Sequence, residues 1–111
     1  MADKKEIKIL WGFAKEVVNK RIFKKLKVIS DEKDKAEAIK YAVKTSLDLR
    51  YHELNQKIKE MEDKKQDVFF AKTKSNLLSL KLKLFAATFD EKDFKNALAL
   101  FKEAEKEVKN V

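Results

Sequence analysis

The chain has 111 residues and a formal net charge of +8, with 27 Lys and Arg set against 19 Asp and Glu. It has no Cys, which excludes disulfides, thiolate zinc sites, iron–sulfur clusters and cysteine nucleophiles. It has no Pro and a single Gly, Gly12, so the residues that break helices are almost missing and an all-α chain is expected.

At 44% hydrophobic residues with eight Phe, the chain carries enough large apolar surface to fold as one helical domain over residues 1–111 despite being 41% charged. Lysines interrupt every apolar stretch well before the roughly 20 residues that a membrane helix needs. The early apolar segment 7–13 is followed at once by Lys15 and Glu16, too soon for the core of a signal peptide. A cytoplasmic protein without membrane contact is therefore expected. The richness in Lys and Glu is similar to that of thermophile proteins.

Periodicity predicts a first helix over 4–28. Ile7, Leu10, Trp11, Ala14, Val18, Ile22 and Leu26 fall three or four apart, and Phe13, Val17 and Phe23 widen the stripe. Ser30 and the acids Asp31, Glu32 and Asp34 then mark a new helix start. The second helix is predicted over 31–62, with Ala36, Ile39, Val43, Leu47, Tyr51, Leu54, Ile58 and Met61 as its core positions. A break is expected within 62–67, where Asp63 could cap and Gln66 complete a capping box. With neither Gly nor Pro there, one continuous rod is the alternative to a hairpin.

The third predicted helix, 64–87, carries two adjoining seams. One is Phe70, Thr73, Leu77, Leu80, Leu84 and Ala87; the other is Leu78, Leu82, Phe85 and Phe89. Residues 78–84 also alternate as a strand would, but leucine and lysine favour helix and no second strand exists to pair with. The fourth helix, 90–109, starts at a Thr88 or Asp90 cap and lines up Phe94, Ala97, Leu98, Phe101, Ala104 and Val108. Asp31–Lys33 with Asp34 recurs as Asp90–Lys92 with Asp93, which reads as two separately chosen helix starts. The expected architecture is an antiparallel four-helix bundle, with Trp11 and the phenylalanines in its core. Gly12, between Trp11 and Phe13, is expected to mark a close helix crossing.

The residues permit little chemistry. His52 is the only histidine, and a carboxylate–histidine metal centre of the bundle type needs more than one. The acids at 31–34 and 90–93 are explained as caps, and no glycine-turned calcium loop exists, so no metal or other cofactor is expected. No serine lies beside a glycine-built oxyanion hole, and no glycine-rich phosphate loop is present. Asp48, Arg50, His52 and Glu53 read as an exposed ion-pair face, Asp48 with His52 and Arg50 with Glu53. Nor do Arg50 and His52, two apart, reproduce the wider spacing of small helical ribonucleases of the HEPN type. A non-enzyme is expected.

Two surfaces remain. Surplus apolar residues, Phe13, Phe23, Phe69 and Phe89, suggest docking of a protein partner or self-association into a homo-oligomer. The cluster Lys20, Arg21, Lys24, Lys25 and Lys27 could instead track nucleic-acid phosphates. Because nearly all the cations are lysine, fork-shaped arginine recognition is not expected.

Overall fold

The computed structural model describes residues 4–109. Among them all regular structure is helical: α1 (Lys4–Val17), α2 (Lys20–Lys27), α3 (Glu32–Asp63), α4 (Phe69–Thr88) and α5 (Glu91–Glu107). They fall into two compact units, the first ending at Asp48 and the second starting at Leu49, so that α3 contributes to both. No helix among them is long and apolar enough to cross a membrane.

The expected first helix, 4–28, is two helices, which raises the count from four to five. The break lies at Asn19, whose backbone is extended and whose Oδ1 accepts the Ile22 amide at 3.0 Å. Val17 and Val18 weaken the helix just before it, and an asparagine side chain then competes for the helical donors, starting α2 afresh. The break also resets the inward face. Leu26 is buried and Phe23 half-buried, whereas Ile22, expected in the core, is exposed.

In the first unit Ile7, Leu10, Phe13 and Ala14 of α1 are buried, as are Ala36, Ile39, Val43 and Leu47 of α3. Trp11 is only half-buried; its ring lies 4.9 Å from that of Phe23, over which Lys27 Nζ sits at 4.9 Å. Lys40 Nζ reaches Glu6 at 3.4 Å. Asp31, rather than Ser30, caps α3 by accepting the Asp34 amide at 2.9 Å.

Gly12 is no crossing point. It is exposed on α1, and a methyl group added there would meet no atom within 4 Å. Gly12→Ala is therefore expected to stabilise the chain by about 0.5–1 kcal/mol, since alanine fits the helix and narrows the unfolded ensemble. Thermal unfolding checks this; a lower melting temperature would mean that the space is filled.

In the second unit the chain reverses after α3, as the hairpin expectation requires. Glu62 and Met61 supply carbonyls to the amides of Lys65 and Gln66 at 2.9 Å each, and Lys65 takes a left-handed φ of 59°. This paired arrangement ends a helix in the way a glycine usually does. The expected capping box at Asp63 and Gln66 does not form, because Asp63 is the last residue of α3 and Gln66 belongs to the closing turn. The Asp67 carboxylate instead accepts the Phe69 amide at 3.0 Å, and α4 begins there rather than at residue 64.

α4 runs back along α3. Lys72 pairs with Glu62, and Ser75 Oγ donates to Asn55 Oδ1 at 2.6 Å. α4 ends at Phe89, left-handed at φ 48°, whose amide donates to the Phe85 carbonyl at 2.7 Å. Asp90 then caps α5 through the Lys92 amide at 2.7 Å, with the Thr88 hydroxyl donating to Asp93 at 2.6 Å. α5 returns antiparallel to α4, with Phe94 5.3 Å from Phe85 at one end and Lys74 2.9 Å from Glu107 at the other. Leu54, Ile58, Leu78, Phe85, Phe101 and Ala104 are among the buried residues of this unit.

Candidate functional site

The two seams of α4 face opposite ways. A helix advances 100° per residue, so Ala71, Ser75, Leu78 and Phe85 share one face and Phe70, Leu77, Leu80 and Leu84 share the other. The first set is buried, at 0–3% exposure. The second set, expected to be core, points outward: Phe70 is 62% exposed, Leu77 48%, Leu80 63% and Leu84 47%. Phe69, 67% exposed, extends this row at its start and meets Phe70 edge-on at 5.4 Å. On the inward face Ser75 meets Asn55 of α3, and the large Phe85 packs against Phe94 of α5.

The outward row steps 3, 4, 3, 4 and 3 from Phe70 through Thr73, Leu77, Leu80 and Leu84 to Ala87, which is the spacing of a coiled-coil seam. It extends about 25 Å along the helix and is roughly 10 Å wide. Lysines border it on both sides: Lys74 and Lys81 along one edge, Lys72 and Lys83 along the other. α4 has no acidic residue. Lys72 and Lys74 are engaged by Glu62 and Glu107, whereas no described carboxylate pairs with Lys81 or Lys83.

Behind the row, a polar cluster ties α4 to α3. Ser75 is buried; its Oγ lies 2.6 Å from Asn55 Oδ1 and 3.5 Å from the Tyr51 hydroxyl, while Asn55 Nδ2 donates to the Tyr51 carbonyl at 3.1 Å. Burial pushes the Tyr51 phenol up. Hydrogen bonding with Ser75, Asn55 and Ser79, together with the nearby Lys83 charge, outweighs it and leaves the phenol below its ordinary value. Such a cluster fixes the rotation of α4 about its own axis, because turning the helix would strand Ser75 and Asn55.

Arg50 and His52 do not form the ion-pair face expected of them. Arg50 reaches across to α5, where Nε and Nη2 donate to the two oxygens of Glu105 at 2.8 and 2.7 Å and the guanidinium lies 4.7 Å from the Phe101 ring centre. Hydrogen bonding to Glu105 holds Arg50 above its ordinary value against the opposing effect of burial. His52 lies 3.2 Å from Gln56. Arg50→Lys is expected to cost about 1–2 kcal/mol, since an ammonium gives neither the two-point grip nor the stacking and the pair is partly solvated. A urea double-mutant cycle with Glu105→Gln reads the coupling, and a value near zero would deny the pair any contribution.

The residues singled out from the sequence are dispersed. Phe13 is 4% exposed and offers nothing to a partner; Phe23 is half-buried against Trp11; Phe89 is half-buried as the left-handed end of α4, 4.8 Å from the Phe85 ring. Only Phe69 lies on the outward row. Leu77, Leu80 and Leu84 were legible as a seam, but nothing in the spacing said that the seam faces outward. Lys20, Arg21, Lys24, Lys25 and Lys27 are all exposed on α2. Between α3 and α5 a charged cleft is lined by Lys57, Glu60, Lys102, Glu105 and Lys106, with both signs present. Among the described residues no group of three or more His, Asp or Glu is placed to hold a metal ion.

Comparison of the chain with protein-family models, with curated proteins and with solved structures finds no match.

Proposed function

We propose that this chain is a non-catalytic docking module that binds a protein partner through the outward face of α4. The observation that carries this reading is the seam Phe70, Leu77, Leu80 and Leu84, heptad-spaced and about half exposed or more, on a helix whose other face buries Ala71, Ser75, Leu78 and Phe85. Exposed leucines scattered singly need no explanation, but Phe70, Leu77, Leu80 and Leu84 line up in one contiguous row about 25 Å long, and that arrangement matches a helix-docking seam. A single helix laid along it would seat its own apolar residues between these side chains.

A labelled 21-residue helical peptide with leucine at the two seam positions of each heptad and glutamine at the flanks tests this by fluorescence anisotropy. Saturable micromolar binding is expected, and it should be lost in the triple variant Leu77→Gln, Leu80→Gln, Leu84→Gln. Those positions are exposed, so the variant should keep the helical circular dichroism and melting temperature of the parent. Binding that survives in the variant, or no binding by the parent, overturns the reading.

A second reading, nucleic-acid binding without sequence preference, is favoured by the five exposed cations of α2. Affinity for single-stranded RNA or DNA should then fall steeply with salt and drop in Lys24→Glu with Lys25→Glu. Affinity indifferent to both would exclude it.

A further inference from the structure

The outward face of α4 selects its occupant by charge, and we infer that the occupant is an amphipathic helix with acidic flanks, from a different protein and not from a second copy of this chain. The inference rests on the docking reading above and adds the chemistry of the partner. Its ground is the border of the seam. Lysine stands on both edges, Lys74 and Lys81 on one and Lys72 and Lys83 on the other, and α4 carries no carboxylate at all. Lys81 and Lys83 lie beside Leu80 and Leu84 in the middle of the seam, where neither has a described carboxylate partner.

A second copy fails on two counts. Laid parallel on itself, α4 sets the Lys81 and Lys83 of one copy against those of the other, and like charges facing across a helical seam are unfavourable. The seam is also small: about 25 Å by 10 Å is roughly 250 Å², far below the roughly 800 Å² per side of a standard interface between folded proteins. A helix supplied by a partner is not held to that area. It needs only the seam and its two edges, and Glu or Asp at its flanks would meet Lys81 and Lys83 directly and add to the overall attraction of a chain with net charge +8.

A bilayer matches the face less well than a helix does. The seam carries only about one residue per turn, and of its members Thr73 is polar and Ala87 small, whereas interfacial helices bury a broader face rich in large side chains.

The test uses the full chain and three 21-residue peptides with one leucine seam and Glu, Gln or Lys at all flanking positions, together with vesicles of mixed neutral and anionic phospholipid. At low salt the Glu peptide should bind about tenfold more tightly than the Gln peptide, and the Lys peptide more weakly still. At high salt the three should converge to within about twofold, because only the flank contacts are screened. Lys81→Glu with Lys83→Glu should reverse the order of the Glu and Lys peptides. Light scattering should find a monomer at micromolar concentration.

Equal binding of all three peptides at every salt overturns the charge selection while leaving docking in place. Failure of all three overturns docking too. A dimer abolished by Leu80→Gln shows the second copy as the occupant and overturns the inference, as does binding to vesicles with no preference among the peptides.

Discussion

Phe85→Ala is expected to lower the unfolding free energy by about 3–5 kcal/mol, the largest loss from any single truncation in α4. Phe85 is 1% exposed, and its ring lies 4.8 Å from that of Phe89 and 5.3 Å from that of Phe94, both at tilted angles. Truncation removes the transfer free energy of the ring, leaves a cavity where α4 and α5 pack, and loses two aromatic contacts of about 0.5–1.5 kcal/mol each. It also loosens the turn between the helices. Phe89 stays left-handed because its amide holds the Phe85 carbonyl and its ring rests on the Phe85 ring; without the ring a strained non-glycine conformation keeps only the hydrogen bond. Single domains have only about 5–15 kcal/mol in total, so Phe85→Leu serves as the milder companion that remains measurable in urea. A loss below about 1 kcal/mol in Phe85→Ala would mean that the ring is not packed between α4 and α5.

How far the sequence could be read depends on what each element asks of it. In α3 one stripe is buried, and Ala36, Ile39, Val43, Leu47, Leu54, Ile58 and Met61 are core as their spacing predicts, while Tyr51 of the same stripe is half-buried. The α5 stripe behaves in the same way, with Phe94, Ala97, Phe101, Ala104 and Val108 buried and Leu98 half-buried. In α4 two seams of equal regularity lie on opposite faces, and periodicity reports that a face is apolar without reporting what lies against it. The composition of the borders held a usable signal. Lys72, Lys74, Lys81 and Lys83 flank the outward seam, while the small Ala71 and Ser75 on the other face suit close helix approach. The helix ends were harder to read. Asn19 is an ordinary cap hidden inside a continuous apolar stripe, whereas Lys65 and Phe89 hold left-handed positions usually filled by glycine, so the usual punctuation is absent at those two. Periodicity alone assigns the outward row to the core, and of the phenylalanines expected at the surface Phe13 is buried by the fold.

Two leucine-to-alanine changes two residues apart in α4 should have opposite consequences. Leu78 is fully buried and Leu80 is 63% exposed. Both sit well inside the helix, so the change in intrinsic helix preference is the same small favourable term at each, and the difference between them reports burial alone. Leu78→Ala should destabilise by about 2–5 kcal/mol through lost packing and a residual cavity. Leu80→Ala should alter stability by no more than about 0.5 kcal/mol in either direction. The same pair should invert in the peptide assay: Leu80→Ala weakens binding of the leucine-seam helix at unchanged stability, and a folded Leu78→Ala binds as the parent does. Urea unfolding followed at 222 nm gives the first comparison and anisotropy the second. Equal stability losses at both positions would mean that the outward row is covered in solution, and the surface on which docking rests would not exist. Unequal losses with equal binding would leave the rotation of α4 intact and remove the seam as the contact.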